Sequence, residues 1–449
     1  MKPLLGAVIA ALSLVVAAAI PGPVGTAGAQ ESRPNILLVI TDDQRDDGTM
    51  RIMRNTRRWM KRGGVTFRNA YATTPQCCPS RASIMTGRYA HNHGVENNTQ
   101  GENLDHSTTV QRYLHDAGYQ TAIYGKFLNG WDLTEAPPNF DNYGLFLGGY
   151  YGFIAYVDGV HRNVFRYSTD FFGDLATKQI RRWEATDDQP WLMFVTPWAP
   201  HTEAIPKARL RRAEVGPLRR NRAMREQDCS DKPAAVTCRY NRFKRGLLRA
   251  DQLRTLISVD AMVARLRQEL RKAGEMSNTL VFFLSDNGYM WGEHGLIGKK
   301  PPYRGSIDIP MFMRFPGHVE RSTDHRMVAN IDIAPTIYDA TGVEPQNEVD
   351  GRSLLDTSWV RDRLLFELEE SKKWPRWAST LTQGYQYTEY YDRQGILTFR
   401  EYYDLLEDPW QLLNLLGDDD PLNDPDPMTQ ATLNRQLAED KSCSASTCP

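Results

Sequence analysis

The chain has little net charge, few cysteines, no internal repeat and, past its first residues, no long apolar run. Lysine plus arginine number 54 and aspartate plus glutamate 55, a net charge of −1, so bulk charge names no partner. The apolar run from Leu4 to Ile20 has no successor elsewhere, which excludes a membrane span in the mature chain. No nucleic-acid-binding module matches either, and a nucleic-acid partner is not expected. The six cysteines are Cys77, Cys78, Cys229, Cys238, Cys443 and Cys448. In an oxidising compartment Cys229 with Cys238, and Cys443 with Cys448, are close enough to close small loops as disulfides. The adjacent Cys77 and Cys78 do not fit that scheme; alone they read as a strained vicinal disulfide or two buried thiols.

What is there begins with a leader. Lys2, the apolar run, a Pro/Gly break and Ala27-Gly28-Ala29 read as a secretory signal peptide over residues 1–29, cleaved before Gln30. The mature protein is therefore expected to be secreted or extracytoplasmic. Its length exceeds what one core usually organises, and the expected division is a catalytic domain over residues 30–345 and a C-terminal subdomain over 346–449.

Several short apolar runs end abruptly in polar residues, as buried parallel strands do where their carboxyl ends meet a ligand crevice. "NILLVITDD" ends in Asp42 and Asp43, "YQTAIYGK" in Lys126, "WLMFVTPWAPH" in His201, and "NTLVFFLSDN" in Asp286 and Asn287. Helical segments lie between them, clearest in "DQLRTLISVDAMVARLRQELRKAG", stopped by Gly274. This alternation predicts an α/β fold, a large mostly parallel mixed sheet with helices on both faces. Ligands of such sheets sit beyond the carboxyl ends of the strands. Beyond about residue 345, alternating aromatic and polar residues around a turn at Asp392-Arg393-Gln394-Gly395 predict a small antiparallel sheet followed by a helix.

Lys207 to Arg249 holds fourteen Lys/Arg against four Asp/Glu. It reads either as a solvated surface insertion or as a landing strip for a polyanion.

Asp42, Asp43, Asp286 and Asn287 offer only oxygen ligands, the set of a hard cation such as Ca²⁺ or Mg²⁺ rather than zinc. Crowded carboxylates repel, and a divalent cation removes that cost. Pro79 suits the first turn of a helix that "SRASIMTG" continues to Gly87. The cysteines just before it therefore sit at the positive end of a helix, where a thiol is acidified, so an ordinary cysteine nucleophile is one candidate. No neighbouring Cys-His arrangement supports it locally.

Cys77-Cys78-Pro79-Ser80-Arg81, followed by "ASIMTGR", resembles the Cys-x-Pro-Ser-Arg…Thr-Gly-Arg signature of type I sulfatases. "RPNILLVITDDQ", "NTLVFFLSDNG", "NIDIAPTIYDATG" and "YYDLLEDPWQLLNL" resemble further family segments, so the likeness spans most of residues 33–416. Within the family, "CCPSRASIMTGRYAHNHGVENN" and "YGKFLNG" look most like the N-acetylglucosamine-6-sulfatase branch. Many other sulfatases carry a histidine two places after the strand-end lysine; here Lys126 is followed by Phe127 and Leu128.

The resemblance implies an alkaline-phosphatase-like fold and a sulfuric ester hydrolase acting on a sulfated sugar or glycan. It implies that Cys77 is oxidised to formylglycine by a formylglycine-generating enzyme. It further implies one divalent cation, Ca²⁺ before Mg²⁺, bound by Asp42, Asp43, residue 77, Asp286 and Asn287. Lys126 and Lys299 would neutralise the sulfate, with Lys300 an alternative to Lys299. His201 would bind sulfate or protonate the leaving oxygen, and Arg81 would hold residue 77 and the local anion. His91, Asn92, His93, Asn97 and Asn98 are candidates for touching the sugar, and His294 is read as loop structure. Two other functions stay open: phosphate or phosphonate ester hydrolysis on the same fold, and binding of a sulfated glycan without turnover.

Overall fold

Five consecutive apolar residues, Ile36 to Ile40, form the middle of the central strand β1 (Asn35–Thr41), buried along its whole length. A strand covered by helices on both faces needs apolar side chains on both, which is why the run does not alternate with polar residues. In the computed structural model, residues 33–186, 189–239, 242–369, 371 and 373–449 are described. The expected signal peptide lies outside the described residues.

The strands follow in chain order as β2 (Gly64–Tyr71), β3 (Gln120–Gly125), β4 (Asn142–Leu145), β5 (Phe153–Val157), β6 (Val160–Val164), β7 (Trp191–Thr196) and β8 (Thr279–Ser285). Then come the two-residue pair β9 (Met290–Trp291) and β10 (Ile297–Gly298), and β11 (Met311–Arg314) and β12 (Ser322–Ala329). Ten of them make one mixed sheet in the order β12-β2-β11-β8-β1-β7-β3-β4-β5-β6. β1 runs parallel to β7 and β8, with Thr41 opposite Ser285, so Asp42-Asp43 and Asp286-Asn287 leave the sheet side by side.

The pleat sends alternate residues to two cores. Ile36, Leu38, Ile40, Phe194 and Phe282 join the helices Cys77–Thr86, Val110–Asp116 and Ile333–Thr341 on one face. Leu37, Val39, Val195 and Phe283 join Arg54–Lys61, Ser168–Trp183 and Arg242–Ala273 on the other. The last helix begins nine residues before the amphipathic segment legible in the sequence and ends at Gly274, whose φ is +89°.

The small antiparallel sheet has four strands, β13 (Arg363–Leu368), β14 (Arg376–Thr382), β15 (Tyr385–Tyr391) and β16 (Leu397–Asp404), followed by the helix Pro427–Asp440. The expected turn closes with Gly395 N donating to Asp392 O at 3.0 Å. Among the described residues no helix is long and apolar enough to cross a membrane. Cys229–Cys238 and Cys443–Cys448 are disulfides. Cys77 and Cys78 are free, buried thiols, which rules out the vicinal disulfide.

The basic segment is only partly a surface. Lys207, Lys232, Arg245 and Arg249 are buried; Lys207 pairs with Asp170 at 2.6 Å, and Lys232 with Asp231 at 3.1 Å and Glu226 at 3.3 Å. Part of its positive charge therefore serves packing, while Arg209, Arg211, Arg212, Arg219 and Arg222 are exposed.

Candidate functional site

The helix Cys77–Thr86 is buried throughout, and its first residue points into the crevice beyond β1 and β8. Gln76 is extended and Gly87 is left-handed at φ 71°, its N–H bonded to Ser83 O, so both ends are defined by local backbone. Pro79 takes a first-turn position whose N–H has no helical partner to lose. Cys77 Sγ lies 3.3 Å from Asp42 Oδ1 and 4.0 Å from Asp43 Oδ1. Asn98 Oδ1 accepts from Cys78 N at 3.0 Å, and Cys78 Sγ turns away toward Asn129 O at 3.6 Å.

Two lysines reach the same spot. β3 ends at Gly125, where φ is +128° and a Cβ would stand 2.1 Å from Thr196 O. Only glycine lets β3 approach β7 this closely before Lys126 turns in. Lys126 Nζ donates to Asp42 Oδ2 at 2.7 Å and lies 5.0 Å from the centre of the Trp198 ring. Lys299 Nζ meets Cys77 Sγ at 2.6 Å, Asn287 Oδ1 at 3.1 Å and Asp43 Oδ1. Lys300 is engaged through its backbone, with N bonded to Ser306 Oγ at 2.9 Å and O accepting from Trp377 Nε1 at 2.9 Å.

Arg81, one turn into the helix, grips Asp286 Oδ2 through Nε and Nη2, both at 2.9 Å, and Lys126 O through Nη1 at 2.8 Å. Its Nη2 stands 3.8 Å from Asp42 Oδ2. It thus ties the ends of three strands together. His201 Nε2 is 3.8 Å from Asp43 Oδ2, and at 23% side-chain exposure it is the most open residue of the group.

Burial disfavours every charge here, and the neighbours decide the outcome. Burial pushes Asp42 up, yet Lys126, His201, Arg81 and Lys299 together hold it well below the usual carboxylate range. Asp286 is pushed up by burial and then by Asp42, against Arg81. Burial, then Asp42, raises the Cys77 thiol to about 12. Burial and the Asp42 carboxylate thus work against the acidification expected of a helix N-terminus.

One ligand atom each from Asp42, Asp43, Cys77 and His201 lies within 4.8 Å of the others. Asp286 Oδ1 accepts from Asp43 N at 3.1 Å and Asn287 Nδ2 donates to Asp43 Oδ1 at 2.7 Å, which brings the remaining expected ligands beside that group. Buried carboxylates crowded this way, with the Lys299 ammonium drawn in among them, are a donor set that fits a hard divalent cation.

The histidines and asparagines expected near a sugar each have a hydrogen-bond partner within the protein. His91 Nδ1 pairs with Glu367 Oε2 and Nε2 with Cys443 O, both at 3.0 Å. Asn92 Nδ2 donates to Asp350 Oδ2 and Cys443 O, both at 2.9 Å. His93 Nε2 is 3.0 Å from Ser83 Oγ, Asn97 Oδ1 accepts from Thr99 N at 2.9 Å, and Asn98 caps Cys78 as above. His294 is held by Glu226 at 2.6 Å, within the loop expected of it. Two contributors were missed. The Trp198 ring lies 4.1 Å from that of His201, tilted by 43°, as well as against Lys126, and its place in "TPWAPH" at a strand end was a usable signal. Asn330, whose Nδ2 donates to Ser80 Oγ at 2.9 Å while Ser80 Oγ donates to Asp286 O, gave none.

Residues 34–343 match the family model described as Sulfatase, and residues 292–441 the one described as N-sulphoglucosamine sulphohydrolase, C-terminal. The extracellular sulfatase SULF-1 homolog of Drosophila melanogaster is 33% identical over 75% of this chain, which spans only 32% of that protein's length. The N-acetylglucosamine-6-sulfatase of Homo sapiens is 29% identical over 98% of this chain and 90% of its own. A protein solved with its substrate D-glucosamine-2-N,6-O-disulfate superposes with TM-score 0.76 and 26% identity, covering 91% of this chain and 97% of that one. With the Cys77 helix, the paired strand ends and a model match over most of its length, the chain belongs to the sulfatase family.

Proposed function

We propose that the protein is an exported sulfuric ester hydrolase that removes the 6-O-sulfate of glucosamine units in a sulfated glycan, using a formylglycine formed from Cys77 and one divalent cation, Ca²⁺ before Mg²⁺. The observation that carries this reading is the position of Cys77, 3.3 Å from Asp42 and 2.6 Å from the Lys299 ammonium, at the start of a buried helix. Hydrated formylglycine next to a cation held by Asp42, Asp43, Asp286 and Asn287 supplies an activated oxygen nucleophile and a Lewis acid for a sulfate oxygen.

The chain's own side chains do the rest. Lys126 and Lys299 bring two ammonium groups to where the sulfate oxygens gather charge, and in a buried site such charges act strongly. His201, the most open member, hydrogen-bonds sulfate or gives a proton to the departing sugar oxygen. Arg81 is a positioning residue, since its hydrogen bonds go to Asp286 and the Lys126 carbonyl. The leader-like residues 1–29 support export. The names of the human relative and of the solved complex support glucosamine 6-sulfate as the substrate class.

The test is sulfate release, read by ion chromatography, from glucosamine 6-sulfate, from glucosamine 2-N,6-O-disulfate and, for comparison, phosphate release from an aryl phosphate. The expected result is loss of the 6-O-sulfate, abolished by Cys77→Ala. Preferential hydrolysis of the phosphate ester would overturn the proposal in favour of a phosphoesterase, and binding without release in favour of a glycan-binding protein.

A further inference from the structure

The helix Arg54–Lys61 carries a charge pattern that its packing does not need. Residues 51–62 read RIMRNTRRWMKR, six basic side chains and no acidic one. Thr56, Trp59 and Met60 form its buried face, and Asp260 holds its first turn through Asn55 N at 3.2 Å and Thr56 N at 2.7 Å. Arg54, Arg57, Arg58 and Lys61 are exposed on the other side. Spaced i, i+3, i+4 and i+7, they repel one another across the turns, and no acid on the helix offsets this. The helix dipole favours cations only in the last turn, so it does not account for Arg54.

With Arg62 and Arg321 these four residues alone line a concavity of 250 Å³. Among the described residues, no side-chain hydrogen bond or ion pair neutralises any of the six. Its place in the fold is definite. Arg62 lies two residues before β2 and Arg321 directly before β12, and these strands pair in parallel with Val65 opposite Ser322. Both strands run in the direction of β1, so the concavity lies at the amino ends of the strands. That is a strand length of roughly 25 Å from the crevice at the carboxyl ends.

Basic side chains continue from Arg51 to the loop around Gly216, and beyond that loop Asn221, Glu293 and Arg45 line a second concavity together with Asp46 and Asp47. Arg51 Nη2 stands 3.8 Å from where a Cβ on Gly216 would be. Arg249 holds that loop by donating to Gly216 O at 3.0 Å, Pro217 O at 3.3 Å and Val215 O at 3.4 Å. Exposed Arg211, Arg212 and Arg219 flank it, interrupted by Glu214. Asn221, two residues further on, donates to Glu293 at 3.2 Å, and Glu293 also pairs with Arg45 at 2.9 Å, three residues beyond Asp42.

We infer that this surface is a track for a sulfated polysaccharide, with sulfates paired to the concavity and its helix while another unit of the same chain enters the crevice. The inference rests on the sulfate-ester reading of that crevice. Guanidinium groups match the oxygens of a tetrahedral anion in paired hydrogen bonds. No aromatic residue lines the concavity, so a nucleic acid would find no stacking platform. No large apolar side chain is exposed on the helix to enter a lipid surface. Tethering raises the local concentration of sulfated units, and only chains long enough to reach both ends gain from it.

The test compares wild type with Arg54→Gln/Arg57→Gln/Arg58→Gln, exposed positions outside the catalytic crevice, using heparin as the sulfated polysaccharide. The variant is expected to leave a heparin column at lower salt, with a salt slope of binding smaller by about 2 to 3. Its KM for heparin is expected to rise several-fold, with kcat/KM for glucosamine 6-sulfate unchanged. Equal elution and equal KM would overturn the track, as would a greater loss of retention on single-stranded DNA or phosphatidylserine vesicles than on heparin. If neither protein releases sulfate from any ester, the catalytic reading fails, and the elution comparison still decides the track.

Discussion

Asp42 is fully buried, and its 2.7 Å partner Lys126 is the largest influence opposing that burial. Lys126→Ala is expected to lower kcat for sulfate release by about 10²–10³, with far-ultraviolet circular dichroism unchanged, because Arg81 still ties the strand ends together. Chelation with EDTA is expected to remove activity and Ca²⁺ to restore it, a loss that tests the oxygen ligand set directly. His91 makes a separate, structural prediction. Burial lowers its pKa, but Glu367, the Cys443 carbonyl and Asp350 overcome this and raise it from 6.5 to about 9. A raised folded value means that the stabilisation is complete below about pH 6.5 and is lost as pH rises through about 9, up to about 3 kcal/mol. Thermal midpoints of the wild type should fall over that window relative to His91→Gln; parallel curves would contradict it. These residues also mark where the sequence stops being informative. Asp42, Asp43, Asp286 and Asn287 were legible because each directly follows an apolar run. His91 and Asn92 sit in the same signature-rich stretch as Cys77, but their partners Glu367, Asp350 and Cys443 come from more than 250 residues away, and no local pattern announces such pairings.

Among the elements, the Cys77–Thr86 helix depends on how it ends. Gly87 has φ 71°, and a Cβ there would stand 2.9 Å from Pro335 Cδ. Gly87→Ala therefore combines backbone strain with a clash against the neighbouring helix and is expected to cost more than about 1 kcal/mol, read as a lower urea midpoint. The terminating glycine was legible, since its role is local. The central strands were legible for a related reason: a strand buried on both faces needs an unbroken apolar run, and "ILLVI" and "LVFFL" supply it. The first turns of the Arg242–Ala273 helix were not, because their residues lack the apolar spacing that marks the rest. The Arg54–Lys61 helix escaped notice because its buried face is only Thr56, Trp59 and Met60. Its charge is also diluted in a chain of net charge −1.

Across the whole molecule, the two sheets are joined by a buried pair. Arg361 donates through Nη1 and Nη2 to the two carboxylate oxygens of Asp332, each at 2.8 Å, and neither side chain is exposed. Asp332 also accepts from Ala329 N at 2.7 Å and Arg352 N at 2.9 Å, so it fixes the end of β12, the start of a core helix and the approach to β13 together. Arg361→Ala leaves that carboxylate uncompensated and is expected to cost about 3–5 kcal/mol, seen as a fall in thermal midpoint. Sequence reading found the change of texture near residue 345 but not this joint, because a buried ion pair between distant segments has no signature in either. The sulfatase reading itself depends on one covalent change at the centre of the molecule. Mass spectrometry of the tryptic peptide Asn69–Arg81, from protein made in its own host, tests it most directly. The expected result is an aldehyde oxygen at position 77 in place of the thiol, with Cys78 unchanged; an unmodified Cys77 thiol in exported, active protein would contradict it.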